Sequence, residues 1–407
     1  MAALKRSIRQ DWSRRVEAAT ASANLALLAE GRLGYSKLSF GERLNLCREI
    51  VETRRRELCI AYDNVVMVTA ALKAARSPRT GKRKVGKEPC VVFFVRRKWP
   101  RGMAAKNLQL IPAELLAYAG SGPNRAICSV PTDVVSEKQV FDSELQASTG
   151  INVTRGGSEF FANVTCAVRV TLDGKPRDMM LSCLHVFSPY PAADISPPEG
   201  GTPISRGDKE GAPAFGVSAP LGGSAWSNEK DPSFDAQLAD IGKKSGDLAA
   251  LKRALGGMAL SPTRPFLRNR DEFNTCLETI RSTNAKIRIL VSPYNSDDGQ
   301  PVHRDVTVDY LGDHSETDLW DFHATVNKKR DTIHILQLRL MDMNFTGDPT
   351  TRGDSGSPVV TDAGDGLTLI GMHIAGAPDH SVMMPAWQLF DPFNYGPRVT
   401  AIRPINP

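Results

Sequence analysis

Ser355 stands in Arg352-Gly353-Asp354-Ser355-Gly356-Ser357-Pro358, with the apolar pair Val359-Val360 directly behind it. A hydroxyl held between glycines, in a tight turn ahead of a strand, is a setting for nucleophilic attack. Glycine lets the backbone bend sharply and lets a substrate carbonyl come close. The backbone N–H groups of Gly353 and Ser355 are candidates to hold a developing oxyanion. A serine hydroxyl attacks poorly until a base takes its proton, and the base needs a group to orient it. The motif therefore predicts a histidine and a carboxylate elsewhere in the chain.

Of the seven histidines, only His185 lies in the first 300 residues. It closes the apolar run Met180-Leu181-Ser182-Cys183-Leu184-His185, which reads as a buried strand delivering an imidazole to a rim. Cys183, two residues earlier, would share its face on a strand and reads as a small core residue. A carboxylate candidate follows 50 residues after His185 in Ser233-Phe234-Asp235-Ala236-Gln237-Leu238. Apolar flanks suit a buried group that fixes a tautomer. Asp231 and Asp240 lie close by as alternatives. The order His, Asp, Ser is one of three known for this chemistry.

With those residues in hand, Gly353-Asp354-Ser355-Gly356-Ser357-Pro358 resembles the serine motif of trypsin-like peptidases, Leu184-His185-Val186 their histidine motif, and Phe234-Asp235-Ala236 their aspartate motif. The resemblance implies a two-barrel chymotrypsin-like fold and a serine endopeptidase. In it Ser355 attacks, His185 is the general base and Asp235 orients it. The family's disulfide cysteine after the histidine is replaced by Val186, which fits a reducing compartment. The family's pocket lies just before the serine and along a strand after it, which implies Thr350, His373 and Gly376. Pro349 takes the place of trypsin's specificity aspartate. Thr350 and His373 resemble the Thr/His pair of glutamyl endopeptidases and viral cysteine peptidases of this fold. A hydroxyl and an imidazole suit a Glu or Gln side chain. Asp348 on the rim is the rival, favouring a basic residue. Gly376 is expected to end a strand that pairs with extended substrate. Asp354 is present, but Gly150-Ile151-Asn152-Val153 departs from a zymogen activation sequence. Asp354 is thus expected to pair with an internal cation or a turn amide.

The elements that must position these residues read as mostly β, and the resemblance implies a two-barrel peptidase domain preceded by a helical segment and a small α/β module. Residues 1–60 read as helical, with Arg14 to Leu28 rich in Ala, Leu and Glu. Ser39-Phe40-Gly41-Glu42 is a capping box ahead of a helix over Leu44 to Leu58. Residues 61–140 carry strand candidates at Val65–Ala70, Cys90–Val95 and Ala126–Val135, a turn at Ser77–Lys82, and a short proline-started helix at Ile111–Leu116. This block resembles a region found before the peptidase domain in intracellular trypsin-like proteins of bacteria and plants. The peptidase domain is expected over 150–407. Its early strands fall at Val164–Val170 and Met179–His185, followed by a Pro/Gly-rich loop region over 188–223. A helical insertion is expected near 243–282, then strands at Ile287–Val291, Asp305–Leu311 and Thr332–Leu340. Ser381–Phe390 reads as a last strand running into a helix or turn.

At 407 residues the chain is long enough for a large core, and 41% hydrophobic content is ordinary for a soluble protein. No apolar run is long enough for a membrane helix. The N-terminus lacks a secretory signal, so a cytoplasmic protein without a membrane partner is the expectation. Seven widely spaced cysteines without Cys-x-x-Cys argue for reduced thiols. No zinc motif, phosphate loop or dinucleotide fingerprint occurs, so neither metal nor cofactor is expected. Charge is uneven: residues 1–101 carry 23 Lys+Arg against 9 Asp+Glu, net +14, and the other 306 carry 28 against 36, net −8. The basic clusters lack interleaved aromatics, so solvated faces attracted to the acidic remainder are favoured over a nucleic-acid partner. The expected partners are a protein or peptide substrate and a regulatory protein. The rival readings are a catalytically silent binding scaffold and a nucleic-acid-responsive regulator.

Overall fold

The computed structural model describes residues 25–62, 65–76, 83–95, 110–120, 125–136, 150–155, 158–187, 200–207, 211–222, 235–295, 301–313, 320–322, 331–333, 339–343, 354–377 and 380–406. The chain divides into two compact units: Met1–Gln139 with Leu311–Asp318, and Val140–Tyr310 with Leu319–Pro407. Among the described residues, no helix is long and apolar enough to cross a membrane.

The first unit contains α1 (Leu25–Lys37), α2 (Phe40–Ala61), β1 (Val65–Arg76), β2 (Arg83–Val95), β3 (Glu114–Ala119) and β4 (Ala126–Ser136). The capping box forms. Ser39 Oγ accepts from the Glu42 amide at 3.3 Å, and the Glu42 carboxylate accepts from the Ser39 amide at 2.7 Å. Those bonds hold the Glu42 carboxyl below its ordinary range. The cap starts α2 at Phe40, ahead of the expected start. Its apolar side packs Leu46, Cys47, Ile50 and Leu58 on Val68, Val91, Phe93 and Val130 from the strands. The strand order is β1-β2-β4-β3, with β2 and β4 parallel and the other pairs antiparallel.

Ile111–Leu116 is not a helix. Pro112 suits a first helical turn, but Glu114–Ala119 pairs residue by residue with Ala126–Pro131, and that ladder overrides the local preference. The described part of the first helix begins at Leu25 and runs to Lys37, so most of the expected Arg14–Leu28 helix lies outside the described residues. The expected turn at Ser77–Lys82 does too. Helix α1 carries Gly31 and Gly34 where it meets β4. A Cβ on Gly31 would sit 2.8 Å from the Ser129 amide nitrogen, and one on Gly34 would run into the Ile127 carbonyl oxygen. Backbone cannot step aside as a side-chain tip can. Gly34→Ala is therefore expected to destabilise this unit by about 1–3 kcal/mol despite alanine's better helix propensity. A lower urea midpoint at unchanged slope would show it.

Tyr62 packs edge-on against Phe93, and burial pushes its phenol up to about 12 from 10.0. Burial, with Cys47 next in effect, also raises Tyr35, whose hydroxyl donates to the Pro89 carbonyl at 2.5 Å. Above pH 10 an unfolded chain loses tyrosine protons that the folded core keeps. Stability is therefore complete below pH 10 and falls as pH rises towards 12. Tyr62→Phe is expected to flatten that alkaline fall, read as urea midpoints across the same window.

The second unit contains β5 (Ile151–Arg155), β6 (Ser158–Ala162), β7 (Cys166–Leu172), β8 (Lys175–Ser182), the short helix α3 (Leu184–Phe187), β9 (Pro203–Arg206), β10 (Gly216–Gly222) and β11 (Gln237–Ile241). Next come α4 (Ser245–Ala254), α5 (Arg270–Thr283), β12 (Ile287–Asn295) and β13 (Pro301–Asp313), the last running on past the end of this unit at Tyr310. A two-stranded ribbon of β14 (Trp320–Phe322) and β15 (Asp331–Ile333) precedes β16 (Arg339–Met343), β17 (Pro358–Asp362), β18 (Leu367–Ala377), β19 (His380–Pro385), α6 (Ala386–Leu389) and β20 (Val399–Ile405). One sheet has the order β20-β7-β8-β11-β10-β9-β5-β6. The other runs β12-β17-β18-β19-β16-β13, and β13 pairs back onto β12, which closes a six-stranded ring. The architecture is mostly β, behind a helical N-terminal segment, as the sequence analysis expects. Helix α5 is fastened by Phe273, edge-on to both Tyr310 and Trp387.

Three local expectations fail in this unit. The 188–223 stretch, read as loop, contributes β9 and β10, whose prolines and glycines sit at or near strand ends and hide the short apolar alternation between them. Ser381–Phe390 is not the last strand, because β20 returns to pair with β7. The third concerns His185 and belongs to the site.

Candidate active site

Strand β8 is exposed over Lys175–Asp178 and buried over Met179–Ser182. It ends at Ser182, not at His185. The Cys183 carbonyl accepts from the Val186 and Phe187 amides at 3.1 and 3.2 Å, which winds Leu184–Phe187 into one helical turn. His185 therefore sits on the helical turn, and the strand-face argument that paired it with Cys183 does not apply. Strand β11 runs antiparallel to β8 with Gln237 opposite Ser182 and Leu238 opposite Leu181. Carried beyond the strand end, that register sets Asp235 opposite the Leu184 segment, and α3 packs on β11. Asp235 is buried, at 8% exposure.

Burial first, and then the Asp235 charge, push the Cys183 thiol well above the ordinary range. It stays an S–H group and donates to the His373 carbonyl at 3.5 Å. A fully buried, protonated thiol is not a nucleophile, which fits the reading of Cys183 as a core residue.

Ser355 lies in a four-residue turn closed by the Ser357 amide bonding to the Asp354 carbonyl at 3.1 Å. Gly356 has φ +87°, a value that favours glycine at the third turn position. A Cβ there would collide with the Asn163 carbonyl oxygen and Ser182 Oγ. The turn is thus pressed onto the Asn163 backbone and the end of β8. Four bonds hold it. The Asn163 amide donates to the Ser355 carbonyl at 2.9 Å, and Thr165 Oγ1 donates to the Gly356 carbonyl at 2.7 Å. The Gly356 amide donates to the His373 carbonyl at 2.9 Å, and the His373 amide to the Ser357 carbonyl at 2.8 Å. Ser355 is half-buried, and its Oγ donates to the Ile374 carbonyl at 3.1 Å.

His373 is buried in β18, with Nδ1 2.6 Å from Ser381 Oγ. Gly376 pairs with Ser381 in the β18–β19 ladder, and β18 continues one residue further, to Ala377. The β17–β18 ladder ends at Pro358 opposite Met372, and among the described residues no strand takes that edge of β18 over Ala375–Ala377. Asp354 is buried. Ile151, the residue a zymogen-like cleavage would free, is buried within β5 and pairs with β6 and β9. Thr350 and Gly353 lie outside the described residues, as do the alternative carboxylate Asp231 and the rim residue Asp348, while Asp240 is exposed on β11.

The fold thus gathers the backbone at His185, Asp235 and Ser355 around the end of β8, with the His373 backbone bonded to Gly356 and Ser357. Sequence reasoning missed Asn163, Thr165 and Ser182, the polar residues that anchor the turn. Their signal was faint: small polar residues in the otherwise apolar Phe160–Val168 and Met179–Cys183 runs.

No family model matches the chain, and no curated protein matches it. Among solved structures, it is similar to the thermostable serine protease AL20 from an extremophilic microorganism, with 14% identity and TM-score 0.31 over 58% of this chain and 91% of that one. It is also similar to the NS6 protease from murine norovirus 1, with 12% identity and TM-score 0.23 over 51% of this chain and 80% of that one.

Proposed function

We propose that this chain is a serine endopeptidase whose activity resides in residues 150–407. The observation that carries the reading is the set of backbone bonds pressing the Ser355 turn onto the end of β8, where the His185 turn begins and the Asp235 end of β11 arrives. Ser355 Oγ turns from the Ile374 carbonyl and attacks a peptide carbonyl carbon. Its proton passes to the His185 imidazole, and the buried Asp235 carboxylate stabilises the imidazolium. The amides of Gly353 and Ser355 hold the oxyanion. The tetrahedral species collapses as His185 returns the proton to the leaving nitrogen, which leaves an ester on Ser355. Water, deprotonated by His185, then attacks the ester carbonyl and releases the acid.

Thr350, His373 and Gly376 form the pocket in this reading. The Ala375–Ala377 edge of β18 supports a substrate that binds as an added strand. A fluorophosphonate probe tests the proposal. It is expected to label the wild-type chain and to leave Ser355→Ala and His185→Ala unlabelled. Equal labelling of Ser355→Ala, or none of the wild type, would overturn it.

A further inference from the structure

We infer that Thr165 is a positioning residue for the nucleophile, an inference that rests on the serine-peptidase reading. Thr165 lies between β6 and β7, fully buried, with its amide bonded to the Leu181 carbonyl at 2.8 Å. Its hydroxyl crosses from that sheet to the turn ahead of β17 and donates to the Gly356 carbonyl at 2.7 Å.

The geometry around Gly356 gives this bond its importance. Two peptide planes follow Ser355, and each is held at both ends. The Ser355–Gly356 plane has its carbonyl on the Asn163 amide and its N–H on the His373 carbonyl. The Gly356–Ser357 plane has its carbonyl on Thr165 Oγ1 and its N–H on the Asp354 carbonyl. Three of these four bonds are backbone to backbone, so no side-chain substitution removes them directly. Thr165 supplies the fourth, and it is the side-chain bond. The hinge between the two planes is a glycine at φ +87°, the residue type that resists rotation least.

Remove the Thr165 hydroxyl and the Gly356–Ser357 plane keeps only its turn bond. It can then pivot about Gly356 and pull on the turn bond to Asp354, which shifts Ser355 inside that turn. Displacements of about 1 Å at a reacting atom cost up to about a hundredfold in rate. Threonine also suits the task because its branched side chain is stiff about χ1 and points the hydroxyl one way. Ser182 backs the arrangement by donating to the Asn163 carbonyl at 2.6 Å, which fixes the segment that presents Thr165.

The test is saturation kinetics of a fluorophosphonate probe on the full chain. In that reaction the Ser355 Oγ–P bond forms, fluoride leaves and the proton passes to His185. Thr165→Val keeps the shape and deletes the hydroxyl, while Thr165→Ser keeps it. The expected result is a maximal labelling rate lowered about ten- to a hundredfold in Thr165→Val, at unchanged half-saturation, and restored in Thr165→Ser. A structural role alone would not divide the two parameters or respond to serine. Wild-type rates in Thr165→Val would overturn the inference and leave the peptidase reading standing. So would an equal loss in Thr165→Ser. No labelling of Ser355 in the wild type would overturn both. Should Thr165→Val not fold, Thr165→Ala, which fits without strain, takes its place in the comparison.

Discussion

Ser355→Ala is expected to lower kcat for peptide hydrolysis by about six orders of magnitude, with the fold and KM unchanged. The side chain is half-buried and its Oγ donates to the Ile374 carbonyl, so losing the hydroxyl opens no core cavity and orphans no buried donor. Nearly all of the loss would be chemical. His185→Ala should fall as far, because the two groups act as one unit and removing either disables both. The residual rate over water, about a thousandfold or more, would come from the oxyanion donors and substrate binding. Rates measured with a chromogenic peptide, beside thermal unfolding midpoints, check the separation of chemistry from stability. A tenfold loss in Ser355→Ala would mean that another group attacks.

Gly356→Ala is expected to fail differently. Alanine at φ +87° is strained on its own account, by about 1–2 kcal/mol. Its Cβ would also drive into the Asn163 carbonyl oxygen and Ser182 Oγ, and the carbonyl is backbone tied down by the Ser182 hydroxyl. Overpacking of that kind costs about 1–3 kcal/mol more. The second unit should lose about 2–5 kcal/mol in all, and the surviving folded fraction should react at least about a hundredfold more slowly because the turn has moved. Chemical denaturation and active-site titration together check both parts. In contrast to Ser355→Ala, stability and rate fall together here, so the pair of variants separates the nucleophile from its mounting.

The sequence marks the candidate site more plainly than the residues that support it. Ser355, His185 and Asp235 are far apart in the chain, yet their backbones gather at one strand end, because motif residues sit where local rules are broken and so stand out in a sequence. The capping box at Ser39 was equally legible, since its bonds span three residues. The misread elements depend on distant partners. Glu114–Ala119 is a strand because β4 is there to pair with, a fact 12 residues away, and Val399–Ile405 is a strand because β7 lies beside it. The helical turn at His185 was hidden because Leu184–Phe187 looks like a continuation of an apolar strand. Its cause is the Cys183 carbonyl accepting two amides. Thr165 was invisible for a related reason: a single buried threonine gives no pattern, and its role appears only once Gly356, 191 residues away, is seen against it.

The most direct measurement is to mix the chain with an activated ester, quench within the first turnover and map the acyl group by mass spectrometry. The expected result is one acyl group on the peptide containing Ser355, none in Ser355→Ala, and a burst of product matching enzyme concentration. An acyl group on another residue, or turnover with no covalent species in either chain, would contradict it.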